Sequence, residues 1–566
     1  MAATTQTSQR WFFGPVPDLI LGCGAGYVAL MAILLVPLAS SAFAPWVALT
    51  VAAGTLLLNA PHYGATLLRI SEDPEDRHRY GFFTLCVTAV MGVLLVAGLH
   101  AAWLGSLLLT AYITWSPWHF AGQNYGLGLM FLRRRGVAVP AGPKKLLYAS
   151  FLLSFLLTFL TMHGSIGTLS VAPLIDFPND VYRFRSLGIP DPWIRVALPL
   201  VATGYVVVLG TWAFAMLRQA SPGDLGPTVA LIGLQALWFS IPSALAFFGL
   251  LTSSSLVMST FWIAFAHSIQ YLWVTAYYAK RSEPSFRMAG YLGKTLLAGM
   301  SLTIFPTVLF APGLLGTIPF QAGMGALVFS VVNLHHFILD GAIWKLRDGR
   351  IAGLLLRSGG AQGSVPVTPA SGFGRHAVRR MAWCIGALSL VVAVVNLWEM
   401  EFGYRRALET NDVGRMLEAT RRMHWIGRDS AGIHNNLAVT LARNGARREL
   451  VQEHFRRSIE IFPTAQAWIG LGISLREEGE AAKAVDAFEA ALALAPDNLT
   501  ALLEAGQTRL ELGEFQRART ALDHAAELDP KSERIRSIQL QLERAASRPP
   551  PVRADAADDA LPEPSQ

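Results

Sequence analysis

Residues 325–344 read GALVFSVVNLHHFILDGAIW, with Lys345 directly after them. Asp340 is the one formal charge in that run. At 1.5 Å per residue such a helix spans about 30 Å, the thickness of the hydrocarbon core of a bilayer. The run therefore predicts a transmembrane helix. Its polar residues are ordered: Asn333, His336 and Asp340 follow one another by three and four positions, which stacks them on one helical face. His335 stands beside that stripe. Polar groups are costly against lipid and normally face the interior of a bundle.

The rest of the chain agrees with a membrane setting. Of 566 residues, 52% are hydrophobic and 15% charged, with a mean hydropathy of +0.39. Soluble domains carry about 25% charged residues, so a soluble enzyme and a disordered chain are both disfavoured. Eleven apolar segments are long enough to span, at about 18–40, 44–68, 81–99, 101–132, 145–165, 193–217, 227–252, 254–279, 292–315, 318–344 and 380–398. The first has a cleavage-like Ala42-Phe43-Ala44 behind it, but its apolar run is long for a signal peptide and only Arg10 precedes it. It is read as a helix. Cys23, Cys86 and Cys384 all lie in apolar stretches, which argues against a disulfide framework or a cysteine zinc site.

Basic residues set the topology. Alternate loops hold Arg69, Arg77 and Arg79; Arg133 to Arg135 with Lys144 and Lys145; Arg218; Lys280, Arg281, Arg287 and Lys294; and a series from Lys345 to Arg380. The other loops hold only Arg183, Arg185 and Arg195. The positive-inside rule places the first set, and the N-terminus, in the cytoplasm. The part after residue 398 then lies on the far face, periplasmic for an inner-membrane protein. The net charge of +7 divides accordingly, +11 over residues 1–399 and −4 over 400–566. It is not a nucleic-acid signature.

Residues 465–498 and 499–532 are two copies of one 34-residue unit. Trp468, Leu471, Gly472, Gly479, Ala484, Phe488, Ala491 and Pro496 recur as Leu502, Ala505, Gly506, Gly513, Ala518, Leu522, Ala525 and Pro530. A third copy fits 431–464 through Leu437, Gly445 and Pro463, and 400–430 reads as a degenerate or capping unit. The pattern resembles the tetratricopeptide repeat. Stacked helix pairs of that kind bury a shared apolar face, and the resemblance implies an unidentified protein or peptide partner in a concave groove.

The expectation is thus an all-α protein, a multi-pass bundle of about eleven spans followed by a soluble helical solenoid. Its parts are a membrane domain over 1–344, a cytoplasmic interfacial helix and Gly/Ser/Pro-rich linker over 345–379, a last span at 380–398, the repeat domain over 399–548 and a disordered tail over 549–566.

Five of thirteen histidines fall inside spans, His62, His119, His267, His335 and His336. Their four helices all run towards the cytoplasm, and the histidines precede the next basic residue by 7 to 14 positions. That is a depth of roughly 10 to 21 Å. Each has a polar neighbour one turn away: Asn59 by His62, Gln123 by His119, Gln270 and Tyr271 by His267, Asn333 and Asp340 by His336. Pro61 and Pro117 stand close before two of them. Imidazole suits iron, copper or zinc. The five histidines and Asp340 are expected to hold a metal ion, with Asn59, Gln123, Gln270, Tyr271 and Asn333 as orienting neighbours. His78 is a weaker candidate. His100 and His163 are read as interfacial, and Asp18 as solvated.

Iron in such a site suggests an oxidoreductase or oxygenase acting on a lipophilic small molecule that reaches it from the lipid bilayer. Pro61-His62-Tyr63, Trp118-His119 and His335-His336 resemble the Brp/Blh-type bacterial membrane carotenoid dioxygenases, within the first 345 residues. The resemblance implies a multi-pass fold and a histidine-bound iron that cleaves a carotenoid. The H-x-x-H-H clusters of membrane desaturases are absent. Three alternatives remain at this point. One is a bis-histidine haem b protein for electron transfer, with Gly122, Gly126 and Gly128 near His119 permitting close approach. Another is a transporter or scaffold without catalysis. The third is a multi-pass glycosyltransferase, whose acidic first external loop is missing here.

Overall fold

The computed structural model describes residues 10–29, 50, 52–72, 74–165, 181–251, 253–283, 285–312, 314–318, 323–344, 353, 355 and 373–547. Among these the regular structure is helical, with two isolated backbone bridges at Gly164–Ile189 and Pro312–Gly316. The second half of the expected first span, from residue 30 on, most of the 345–379 linker, much of the loop 166–192 and the 549–566 tail lie outside the described residues.

The chain divides into two compact units, Met1–Phe402 with Met423–Arg428, and Gly403–Arg422 with Asp429–Gln566. The first contains α1 (Ala60–Glu72), α2 (Pro74–His100), α3 (Ala102–Arg134), α4 (Ala141–His163), α5 (Asp191–Leu217), α6 (Pro222–Gln235), α7 (Ser253–Ser282), α8 (Met288–Thr303), α9 (Gly325–Ile343) and α10 (Phe373–Trp398). Seven helices are long and apolar enough to cross a membrane: Glu75–His100, Ala141–His163, Asp191–Leu217, Pro222–Phe247, Met288–Leu309, Gly325–Ile343 and Arg380–Glu409. Two further long helices, α3 and α7, fall outside that set. They carry His119, Gln123 and Asn124, and His267, Ser268 and Gln270, and these polar side chains lower their hydropathy.

Prolines shape two helices. A π-helical turn at Thr55–Asn59 runs into α1 just before Pro61, and another at Ala236–Ser240 extends α6 just before Pro242. Proline has no N–H to close the usual bond four residues back, and the widened turn absorbs the defect. Helix α1 packs closely on α8. A Cβ at Gly299 would stand 1.7 Å from the Ala60 carbonyl oxygen, and one at Gly64 would stand 1.9 Å from that of Thr295. Only glycine permits this approach, which fixes α1 and therefore His62.

Two side chains depart from expectation. Asp18 is fully buried rather than solvated. Its carboxylate accepts from the backbone N–H groups of Phe12 and Phe13 and from Trp273 Nε1. Phe12 sits edge-on against Phe131, Trp273 and Tyr277, which brings the N-terminal segment over the carboxylate. His163 is likewise buried rather than interfacial, with Nε2 2.9 Å from Thr114 Oγ1 and Nδ1 accepting from the Leu187 N–H. His100 is exposed.

The second unit is a stack of antiparallel helix pairs: α11 (Ala431–Arg443) with α12 (Arg448–Ile461), α13 (Ala465–Glu477) with α14 (Ala481–Leu494), and α15 (Leu499–Glu511) with α16 (Phe515–Leu528). A last helix, α17 (Glu533–Ala546), buries Ile535, Ile538 and Leu542 in the cluster that contains Leu502, Leu503 and Leu522. The 34-residue period is visible in the backbone. Asn411, Gly445, Gly479 and Gly513 all have positive φ, 55°, 66°, 89° and 77°. Glycine takes this conformation freely and asparagine tolerates it. Asn411 therefore marks the turn of the degenerate unit in 400–430. Its side-chain amide exchanges hydrogen bonds with that of Asn444, 2.9 Å each way. Thr464 and Asn498, also 34 apart, cap α13 and α15 by accepting from Ala467 and Ala501 N–H.

Candidate metal centre

Four helices of the first unit, α1, α3, α7 and α9, deliver His62, His119, His267 and His336 to one place. Ring centroids are 4.2 Å apart for His62–His336, 5.2 Å for His62–His267, 5.0 Å for His119–His267 and 5.2 Å for His119–His336. Donor atoms of His62, His267 and His336 lie within 4.8 Å of one another, as do those of His119, His336 and Asp340. Asp340 Oδ2 is 3.5 Å from His336 Nε2 and 3.9 Å from His119 Nε2.

Hydrogen bonds orient this set. The π-helical turn ends at Asn59, whose carbonyl oxygen is 3.0 Å from His62 Nδ1. A proton on Nδ1 is donated to that carbonyl, and His62 Nε2 keeps its lone pair. Nε2 then faces His336 Nε2 at 2.9 Å. His336 Nδ1 is 2.9 Å from Thr66 Oγ1, and the Thr66 hydroxyl donates to Asp340 Oδ1 at 3.1 Å. Tyr271 donates to the same oxygen at 2.6 Å and accepts from Trp344 Nε1 at 3.0 Å. Asp340 is thus anchored through Oδ1, while Oδ2 faces the imidazoles. Phe337 stacks on His119 at 4.3 Å and Phe120 lies tilted against His267 at 4.3 Å, so aromatic rings flank the cluster.

The donor set fits a cation. Among the described residues, His119 Nε2 and both ring nitrogens of His267 are buried without a hydrogen-bond partner. Such groups cost free energy in a bundle interior unless they are satisfied. A metal ion satisfies lone pairs converging from several sides.

The other expected residues are placed differently. His335 points away from the cluster, with Nε2 2.9 Å from Thr88 Oγ1 on α2. It adjoins His336 in sequence, and a helix turns consecutive residues by about 100°. Gln123 donates to Gln270 Oε1 and to the His267 carbonyl, and Gln270 donates to the Gly22 carbonyl. These amides brace α3, α7 and the N-terminal segment. Asn59 also accepts from the Ser268 hydroxyl at 2.7 Å, and Asn333 accepts from the Tyr63 hydroxyl at 2.9 Å. His78 is exposed. Thr66 and Trp344 did not stand out in the sequence. Thr66 follows His62 by four residues, and that helical spacing was the available signal.

No curated protein matches the chain. Residues 446–499 and 475–542 each match a family model of the tetratricopeptide repeat, so the second unit carries the repeat type that serves protein interaction.

Proposed function

We propose that the chain is a polytopic membrane metalloprotein, an oxidoreductase that uses histidine-bound iron on a lipophilic substrate, with the repeat unit as its protein-binding arm. The observation that carries this reading is the convergence of four buried imidazoles and Asp340 from four helices, with unpartnered nitrogens among them. His62, His119, His267, His336 and Asp340 are the residues that hold the ion. Iron bound there supplies redox chemistry towards dioxygen. The protein's own part is orientation. Asn59 fixes the His62 ring, Thr66 and Tyr271 fix Asp340, and the flanking aromatic rings keep water from the site. Iron, histidine ligation and an apolar substrate are also what the resemblance to membrane carotenoid dioxygenases implies.

Eleven crossings of an inner membrane, a cytoplasmic N-terminus and a periplasmic repeat unit belong to the same proposal. Its support is the alternation of basic loops. A haem between two of these histidines is the weaker reading. His62 and His336, whose Nε2 atoms are 2.9 Å apart, leave no room for a haem between them.

Elemental analysis and an absorption spectrum of the purified protein test the proposal. Stoichiometric iron without a Soret band is expected, lost in His119→Ala and His336→Ala. A wild-type protein without metal overturns the reading, and a Soret band turns it to haem.

A further inference from the structure

We propose that Tyr271, Trp344 and Tyr278 form a redox relay, which carries one electron at a time from the basic end of the bundle to the metal centre. Asp340 and Asp76 hold the tyrosine protons during the transfer. The relay rests on the metal-centre reading above. Tyr271 and Tyr278 stand seven positions apart on α7, two helical turns, and so share a face. Trp344 follows the last residue of α9 and stands between them, its Nε1 donating to the Tyr271 hydroxyl at 3.0 Å. Ring centroids are 5.2 Å apart for His336–Tyr271, 6.1 Å for Tyr271–Trp344 and 5.7 Å for Trp344–Tyr278. Every step lies within the range of packed aromatic pairs, about 4.5–7 Å. The outer end lies by the surface, since Arg77, His78, Arg79 and Lys280, close to Asp76 and Tyr278 in sequence, are exposed.

Packed aromatic rings are ordinary in a core. A carboxylate at each tyrosine distinguishes this series. Tyr271 donates to Asp340 Oδ1 at 2.6 Å, and Tyr278 donates to Asp76 Oδ2 at 3.4 Å. A phenol that loses an electron becomes strongly acidic, and a carboxylate in hydrogen-bond contact takes the proton and gives it back. Tyr63 is the contrast. Its ring is 5.6 Å from His336, but its hydroxyl donates to the side-chain carbonyl of Asn333, which is no base. Arg69 governs the middle of the series. Its guanidinium lies 3.7 Å from the centre of the Trp344 ring and 4.5 Å from that of Tyr278. A fixed positive charge over the indole opposes a cation radical there. Trp344 therefore passes electrons on, and the vacancy rests on a tyrosine.

The transfer balances in electrons and protons. Tyr271 supplies one electron to the centre after reaction there with dioxygen, and its phenolic proton moves to Asp340 Oδ1. Trp344 refills Tyr271, which takes its proton back. Tyr278 refills Trp344 and gives its own proton to Asp76. A small one-electron reductant of the ascorbate class refills Tyr278, the Asp76 proton returns, and the proton of the reductant is lost to water. The net change is one electron moved from the reductant to the centre, with the three side chains restored.

Freeze-quench electron paramagnetic resonance of the full-length protein tests this, with the protein in nanodiscs, saturated with ferrous iron and mixed with hydrogen peroxide. A tyrosyl radical is expected, its signal narrowed when the protein is made with ring-deuterated tyrosine. The signal is lost in Tyr271→Phe and kept in Tyr63→Phe. Ascorbate speeds its decay in the wild type, and that acceleration is lost in Trp344→Phe and in Tyr278→Phe. Iron content is measured on the same samples, so that every variant is compared at full occupancy. Three results overturn the relay alone: iron-loaded wild type without a tyrosyl radical, a signal that survives Tyr271→Phe, or an ascorbate effect unchanged in either Trp344→Phe or Tyr278→Phe. Wild-type protein that binds no iron overturns the metal-centre reading and the relay with it.

Discussion

His62 Nε2 and His336 Nε2, 274 positions apart in sequence, stand 2.9 Å from each other inside the helical bundle. Two arrangements satisfy that contact. Either a proton on one nitrogen is donated to the other, or both lone pairs meet a cation. The Asn59 carbonyl at His62 Nδ1 and Thr66 at His336 Nδ1 favour protons on the far nitrogens of both rings. That places the two lone pairs face to face. The first prediction follows from this relationship. His336→Ala loses the metal, because it removes the one histidine common to both donor groups. The drop in affinity exceeds the 10–100-fold typical of losing an outer partner. His335→Ala, one position away, leaves metal content unchanged, because its ring serves Thr88. Metal titration of the two variants side by side checks the contrast.

The second prediction concerns the groups behind the ligands. Tyr271→Phe removes the shortest hydrogen bond to Asp340 Oδ1, and Thr66→Val removes a donor to Asp340 together with the partner of His336 Nδ1. Each keeps the side-chain shape closely. Metal affinity is expected to fall about 10–100-fold in either variant, measured against a metal-free stability that itself falls by about 1–3 kcal/mol because buried partners are left unsatisfied. Titration with a competing chelator reads the affinity. An affinity equal to wild type in both variants places Asp340 outside the ligand set.

How much of this was legible beforehand differs between the two units. Hydropathy alone exposed the membrane-length helices that contain few polar residues, such as α5. The apolar segments at 101–132 and 254–279, which form α3 and α7, were legible as well, although the polar side chains that build the site lower their hydropathy. The histidine cluster was legible as residue types at a common depth. Which histidines face inward was not. His335 and His336 are equally buried in type and differ only in helical phase, which the packing of α9 against α1 and α2 decides. Asp18 was misread because its partners, the backbone of Phe12 and Phe13 and the indole of Trp273, involve a fold-back that no local pattern signals. The repeats were legible in detail because each copy repeats the same local physics.

The third prediction uses that regularity. Gly479 sits at φ 89° in a central turn and Asn411 at φ 55° in the first. Gly479→Ala forces a Cβ into the left-handed region at a cost of about 1–2 kcal/mol. In a stack stabilised by nearest neighbours, a central lesion weakens the units on both sides. Hydrogen exchange of the full-length protein is expected to show faster exchange across α13 to α16. Asn411→Ala loses both the tolerated conformation and the amide pair with Asn444. Its effect is confined to the first units. Identical exchange maps for the two variants refute the one-dimensional picture.

The fourth prediction is a pH dependence in the repeat unit. His454 Nδ1 lies 2.9 Å from His434 Nδ1, and the two rings stack at 5.1 Å. His434 Nε2 contacts Asp429 Oδ1 at 2.8 Å, and Asp429 also pairs with Arg457 at 3.1 Å. Partial burial, and then the His434 ring, hold the His454 imidazole below its ordinary range, against the pull of Glu453 and Asp429. The unfolded chain takes up that proton near pH ~6.5, and the folded chain does so only at lower pH. Below about 6.5 the unfolded state therefore binds more protons, and stability falls as pH drops; above it the contribution is complete. Exchange rates over α11 and α12 are expected to be higher at about pH 5.5 than at about pH 7.5, relative to those over α16. His454→Asn removes the titrating group and flattens the difference. A difference that persists in His454→Asn assigns the effect to another group.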